Sequence, residues 1–112
     1  MPTEADIVAA IKNTYDQLDD NFDALYAKCT TDDQKQQLKS LLASARDAFF
    51  AATAKSLTDN NPTVDALTKQ LQDTNASLGK QLTGIKDIVG TLALCTEALK
   101  LAAALATLAA AA

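Results

Sequence analysis

The sequence predicts an all-α protein that folds as an antiparallel helical bundle, and three observations support this prediction. Hydrophobic residues make up 48% of the 112 residues but aromatic residues only 4%, so the core must consist mainly of aliphatic side chains and alanine. Alanine and leucine favour helices, while the helix breakers glycine and proline number only three and two. Apolar residues also recur at steps of three and four, which is the helical period. The chain is long enough for one domain, residues 1–112.

The first helix is predicted to begin just after Thr3. This threonine is a good N-cap, and Asp6 places a negative charge in the first turn of the helix. The apolar residues that follow are Ile7, Ile11, Tyr15, Leu18, Phe22, Leu25 and Cys29. Their spacing predicts one amphipathic helix that reaches Cys29.

A second helix is predicted from Thr31 to about Leu57. Thr31 and Gln34 have the spacing of a capping box, in which each side chain accepts a hydrogen bond from the other residue's backbone N–H. Its apolar stripe contains Leu38, Leu41, Leu42, Ala45, Ala48, Phe49 and Ala52. The short connection predicts that the first two helices lie side by side and antiparallel. Asn61 and Pro62 are then suited to be the N-cap and the first residue of the next helix.

The C-terminal half forms either one helix or two. Apolar residues recur there every seven positions, at Val64, Leu71, Leu78, Ile85, Leu92 and Leu99, and this unbroken phase favours a single helix. Such a helix would be roughly 75 Å long, about twice the length of each of the first two. Its overhanging part would expose leucines on more than one side to water.

We therefore expect four helical segments, with a break between about residues 75 and 84 and a last helix from about Ile85 to Ala110. The weak helix breakers in that window are Asn75, Ser77, Gly79 and Gly84. The alternative is three helices, with one long continuous C-terminal helix.

Charge and terminal sequence limit the classes of partner. The net charge is −4 and no basic stripe is present, so we expect no nucleic-acid binding. Residues 1–6 are acidic, whereas a secretory signal begins with basic residues and continues with apolar ones. We therefore expect a cytoplasmic protein, or one exported without a cleavable signal peptide.

One acidic segment resembles a known metal-binding motif. Residues 19–23, DDNFD, have the DDxxD spacing of the helical prenyl-transferring and terpene-forming enzymes, which implies magnesium and diphosphate binding. The resemblance covers five residues, and the chain lacks the second acidic motif of those enzymes. Together with Asp16, these acids lie opposite the apolar stripe, which is typical of a solvated helix face. We therefore predict no metal site.

Catalytic chemistry has little support in the sequence. The chain contains no histidine, so no serine or cysteine has the usual base that activates a nucleophile. Cys29 and Cys95 are far apart and lack metal-ligand spacing, which indicates small apolar residues in helix interfaces. We therefore predict a protein that is not an enzyme and needs no cofactor.

The predicted function is to present helix surfaces, for self-association or for binding a protein partner. One apolar seam suffices to hold a bundle, so a second apolar stripe on the last helix is the predicted contact surface: Leu94, Leu101, Leu105 and Leu108. The alternative is a membrane-active protein that inserts its Ala/Leu-rich C-terminal helix, although Glu97 and Lys100 would then lie near the middle of the span.

Overall fold

The computed structural model describes residues 3–54 and 62–108, which form five helices and no strand. The helices are α1 (Glu4–Asp20), α2 (Phe22–Lys28), α3 (Asp32–Thr53), α4 (Pro62–Leu82) and α5 (Ile88–Leu108). They pack as an antiparallel bundle with extents of 43 × 22 × 18 Å. The predicted all-α bundle is therefore confirmed.

The first predicted helix starts where the sequence indicates but is interrupted once. The Thr3 N–H donates to Asp6 Oδ2 over 2.8 Å, and the Asp6 N–H donates to Thr3 Oγ1 over 3.2 Å, which completes a capping box. The interruption between α1 and α2 is at Asn21, whose side-chain Nδ2 donates to the carbonyl of Gln17. The apolar spacing passes through Asn21 unchanged, so it did not reveal this break.

The start of α3 differs in one detail from the predicted capping box. Thr31 Oγ1 accepts from the Gln34 N–H over 3.1 Å, as predicted. The Gln34 side chain accepts from the N–H of Thr30 over 2.7 Å, one residue earlier than predicted. The predicted continuation of this helix to Leu57 and the predicted cap Asn61 lie outside the described residues.

The C-terminal half folds back on itself, as expected, between α4 and α5. The reversal occupies residues 83–87, at and just beyond the late edge of the predicted window. Gly84 has φ +89° and Ile85 has φ +34°. Glycine adopts a positive φ without a steric cost, which explains why the helix ends here rather than at Asn75 or Gly79, both of which lie inside α4.

The first turn of α5 is capped by a side chain. Asp87 Oδ1 accepts a hydrogen bond from the Gly90 N–H over 3.0 Å, as an N-terminal capping residue does. The predicted end near Ala110 lies outside the described residues.

Two central helices, α1 and α5, separate α3 from α4. Each of α3 and α4 packs against both central helices. One core cluster joins the start of α1 and of α4 to the end of α3 and of α5, so α1 and α4 run parallel to each other and antiparallel to α3 and α5. The buried members of this cluster include Ile7, Ile11, Ala52, Val64, Leu71, Ala102 and Leu105. A second cluster at the other end of the bundle includes Leu18, Leu25, Leu38, Leu78, Ile85, Leu92 and Cys95.

Candidate protein-binding surface

The four leucines of the predicted contact stripe lie in different environments. Leu105 is fully buried in the first core cluster. Leu94 and Leu101 are half-buried and pack against the core, while Leu108 is 49% exposed. Because α5 packs against α1, α3 and α4, more than one of its sides is covered. Leu105 therefore belongs to the core, and the other three leucines reach the surface to different extents.

The side of α5 that faces solvent carries eight residues, which we call the outer row: Val89, Ala93, Glu97, Lys100, Ala103, Ala104, Thr107 and Leu108. At about 100° of rotation per residue, these positions lie within about 140° of one another around the helix axis. Ala104 is half-buried and the other seven are exposed. Of the outer row, sequence reasoning named only Leu108 as a contact residue, because α5 carries alanine on its buried and exposed sides alike.

The outer row is unusually apolar for the solvent side of a helix. Val89 is 66% exposed and Leu108 is 49% exposed. Within residues 3–54 and 62–108, Phe50 on α3 is the only other large apolar side chain in the exposed class. Glu97 and Lys100 are the only charged residues of α5, and neither forms an ion pair within the described part of the chain.

Uncharged polar groups approach α5 from both neighbouring helices. The Gln37 side chain of α3 donates to Thr96 Oγ1 over 3.4 Å. On the side of α4, Thr91 Oγ1 lies 3.4 Å from Gln81 Oε1.

A shallow groove of about 500 Å³ lies between α1 and α4. It is lined by Asp6, Ala9, Ala10, Asn13, Gln17, Gln72, Asn75 and Ala76. Its most buried polar side chain, Asn75, already has partners: Nδ2 donates to the carbonyl of Ala10 over 3.0 Å, and Oδ1 accepts from Thr14 over 2.8 Å. The groove is therefore a packing feature of the α1/α4 interface.

In the part of the chain that the structure describes, the acidic segment does not bring three carboxylates close enough together to hold one metal ion. Asp19, Asp20 and Asp23 are exposed. Asp16 binds Lys12 over 2.6 Å, and this contact raises the pKa of the lysine. These carboxylates belong to a solvated surface.

Both cysteines are buried, unpaired thiols in the second core cluster. Cys29 Sγ donates to the carbonyl of Leu25 over 3.3 Å. Burial raises the pKa of the Cys95 thiol to about 12. A thiol with so high a pKa is a poor nucleophile, and Cys95 serves as a small core residue.

The outer row of α5 is therefore the surface of greatest functional interest. Comparison of the chain with family models, curated proteins and solved structures found no match.

Proposed function

We propose that this protein is a non-catalytic helical bundle that works by presenting the outer row of α5 to another protein chain. The observation that carries the proposal is the concentration of exposed apolar side chains on this helix, where Val89 and Leu108 lie among alanines. Burying apolar surface is the main driving force of protein association.

The rest of the described surface supports this choice by contrast. The solvent side of α1 and α2 carries acids at Asp19, Asp20 and Asp23, which would have to lose water on binding. Phe50 is 54% exposed, but it is the single large apolar side chain on the solvent side of α3. The outer row of α5 carries one acid and one base, Glu97 and Lys100, and its other members are uncharged, so fewer charges would lose water there.

The experiment compares two charged variants with wild type. Val89→Lys combined with Leu108→Lys places two cations on the outer row, and Phe50→Lys places one on α3 as a matched control. Each of the three proteins is immobilised and incubated with a soluble extract of the cells that naturally produce the protein. Self-association of each is followed in parallel by sedimentation.

We expect wild type and Phe50→Lys to retain the same bound chains and the outer-row variant to lose them. Equal binding by all three proteins, with no concentration-dependent sedimentation of any, would contradict the proposal. Circular dichroism should show the same helix content in all three, because every altered side chain is exposed.

A second candidate function is insertion of α5 into a membrane. Within the described residues, α5 is the one helix long and apolar enough to cross a membrane, with a mean hydropathy of 1.7 in an 18-residue window. A third of that window is buried in the bundle, so insertion requires α5 to leave the core. Flotation with lipid vesicles tests this candidate, and protein that stays in the aqueous fraction at acidic and neutral pH would count against it.

A further inference from the structure

The reversal between α4 and α5 carries backbone strain. It spans residues 83–87, where Gly84 has φ +89° and Ile85 has φ +34°. Ile85 is the one non-glycine residue with a positive φ in the part of the chain that the structure describes. A β-branched side chain rarely adopts this conformation, because its Cβ comes too close to the following carbonyl oxygen. The side chain is nevertheless 6% exposed and packs in the second core cluster, so its burial holds the strained turn in place.

The sequence across the reversal also fits one continuous helix. Buried residues recur every seven positions from α4 through the turn into α5: Val64, Leu71, Leu78, Ile85 and Leu92. Two separate helices do not need to share this phase, since each can orient its own buried side. In a continuous helix a repeat of seven keeps all of these residues on one side. The turn contains one glycine and no proline, and Ile85 would have an ordinary helical backbone in such a helix.

The contacts of α5 show where it would bind if the turn opened. α5 packs against α1, α3 and α4, and its buried residues belong to both core clusters. Straightening of α4 and α5 into one helix would expose these residues to water and vacate the site of α5 on the bundle. That site fits α5 of any copy of the chain. Two opened chains can therefore exchange α5 and recover every core contact that each has lost.

We propose that the turn between α4 and α5 is a hinge through which two copies of this chain exchange α5. In the exchanged dimer residues 62–108 of each chain form one helix, and α4 of each copy packs antiparallel against α5 of the other. The core contacts are the same in both forms, so the balance depends on strain at the hinge and on the entropy lost on association. The inference is independent of the proposed function, because it concerns the buried sides of α5 rather than the outer row.

Substitutions in the hinge test this balance. Gly84→Ala disfavours the turn, which needs a positive φ, and favours the continuous helix in both chains of the dimer. We expect it to raise the association constant by about 100-fold. Insertion of two glycines between Gly84 and Ile85 relaxes the turn and interrupts the continuous helix, and this variant should be monomeric. Gly79→Ala is the matched control, because residue 79 lies inside α4 and is helical in both forms.

Each protein is unfolded in urea, refolded at a series of concentrations and separated by size-exclusion chromatography. Wild type should form a dimer whose fraction grows with the concentration during refolding. The dimer should persist on dilution, because α5 must leave the core before the chains can separate. Wild type and Gly84→Ala that both stay monomeric up to near-millimolar concentration would overturn the proposal, as would equal dimer fractions in Gly84→Ala and Gly79→Ala.

A distance measurement distinguishes exchange from other kinds of dimer. Asp73 of α4 and Glu97 of α5 are exposed and equally far in sequence from Ile85. The closed hairpin therefore places them at a similar level, on helices about 10 Å apart. In the continuous helix the same two residues would be about 36 Å apart.

Spin labels on Asp73→Cys and Glu97→Cys report this distance, in a chain whose two native cysteines are replaced by alanine. Labelled protein is refolded with an excess of unlabelled protein, so that the two labels of a dimer lie on one chain. The monomer should give the short distance and the dimer the long one. A dimer whose labels stay close has formed without exchange of α5, which would overturn the proposal and leave association through the outer row in place.

Discussion

At the scale of single residues, the most specific contact is the buried pair Thr14 and Asn75, which joins α1 to α4. The Thr14 hydroxyl donates to Asn75 Oδ1, and Asn75 Nδ2 donates to the carbonyl of Ala10. Most of the other buried positions of α1 and α4 are apolar, so a shift of one helix along the other would leave these polar groups without partners. A buried asparagine can in this way specify the register of packed helices.

Removal of the asparagine should therefore destabilise the protein. Asn75→Ala leaves the polar interface incomplete, and we expect the free energy of unfolding to fall by about 2 kcal/mol. The single variants Asn75→Leu and Thr14→Val each leave one member of the pair without its partner. The double variant replaces both polar side chains, so its loss of unfolding free energy should be smaller than the sum of the two single losses. Urea unfolding measures all of these values. Asn13→Ala, at an exposed position of α1, is the control, and strictly additive losses would contradict the predicted coupling.

The buried thiol of Cys95 predicts a dependence of stability on alkaline pH. Burial raises its pKa from 9.0 to about 12, so the folded protein holds the proton over a range in which the unfolded chain releases it. The contribution of Cys95 to stability is therefore complete below pH 9 and is lost as the pH rises towards 12.

Urea titrations at several alkaline pH values measure this effect. The free energy of unfolding should fall more steeply with pH in wild type than in Cys95→Ala, which has no thiol at this position. Equal slopes would show that the buried thiol does not contribute to the pH dependence.

At the scale of helices and turns, the reversal after α4 is the decisive element. Gly84 has φ +89°, a conformation that costs an L-residue about 1 kcal/mol or more, so Gly84→Ala should destabilise the protein by about that amount. Gly79 is the matched control because it lies inside α4 with an ordinary helical backbone.

Gly79→Ala should leave stability unchanged or raise it by up to about 1 kcal/mol, since alanine is the better helix former. The added Cβ would lie 3.2 Å from Gln17 Oε1, the tip of a side chain that can shift slightly. Thermal unfolding compares the two variants, and a greater loss from Gly79→Ala than from Gly84→Ala would contradict this account of the turn.

At the scale of the whole molecule, the bundle decides which leucines of α5 hold the protein together. Leu105 is fully buried and Leu108 is half exposed, although both belong to the same stripe in the sequence. We expect Leu105→Ala to cost about 3 kcal/mol, as removal of a core leucine does. Leu108→Ala should change stability by less than about 0.5 kcal/mol. Chemical unfolding measures both, and equal losses would contradict the described packing.

The cap at Thr3, the start of α4 at Pro62 and the all-α class could be predicted because each depends on residues close together in the chain. The box at Thr31 was predicted only in part, since Gln34 accepts from Thr30 rather than from Thr31. The break at Asn21 was missed because one interrupted turn leaves the apolar period intact. Both differences are local. Each depends on which of several neighbouring backbone groups pairs with one side chain: an N–H in the case of Gln34, and a carbonyl in the case of Asn21.

The candidate surface needed the tertiary structure. By itself the sequence determined that the chain is helical, that its second half carries more apolar surface than two helices can cover, and therefore that this half folds back or finds a partner. Only the tertiary structure decided that Leu105 is core and that the row from Val89 to Leu108 faces solvent. The reason is physical: helical periodicity gives the angle of a side chain around its own axis, whereas burial depends on which neighbouring helices lie at that angle.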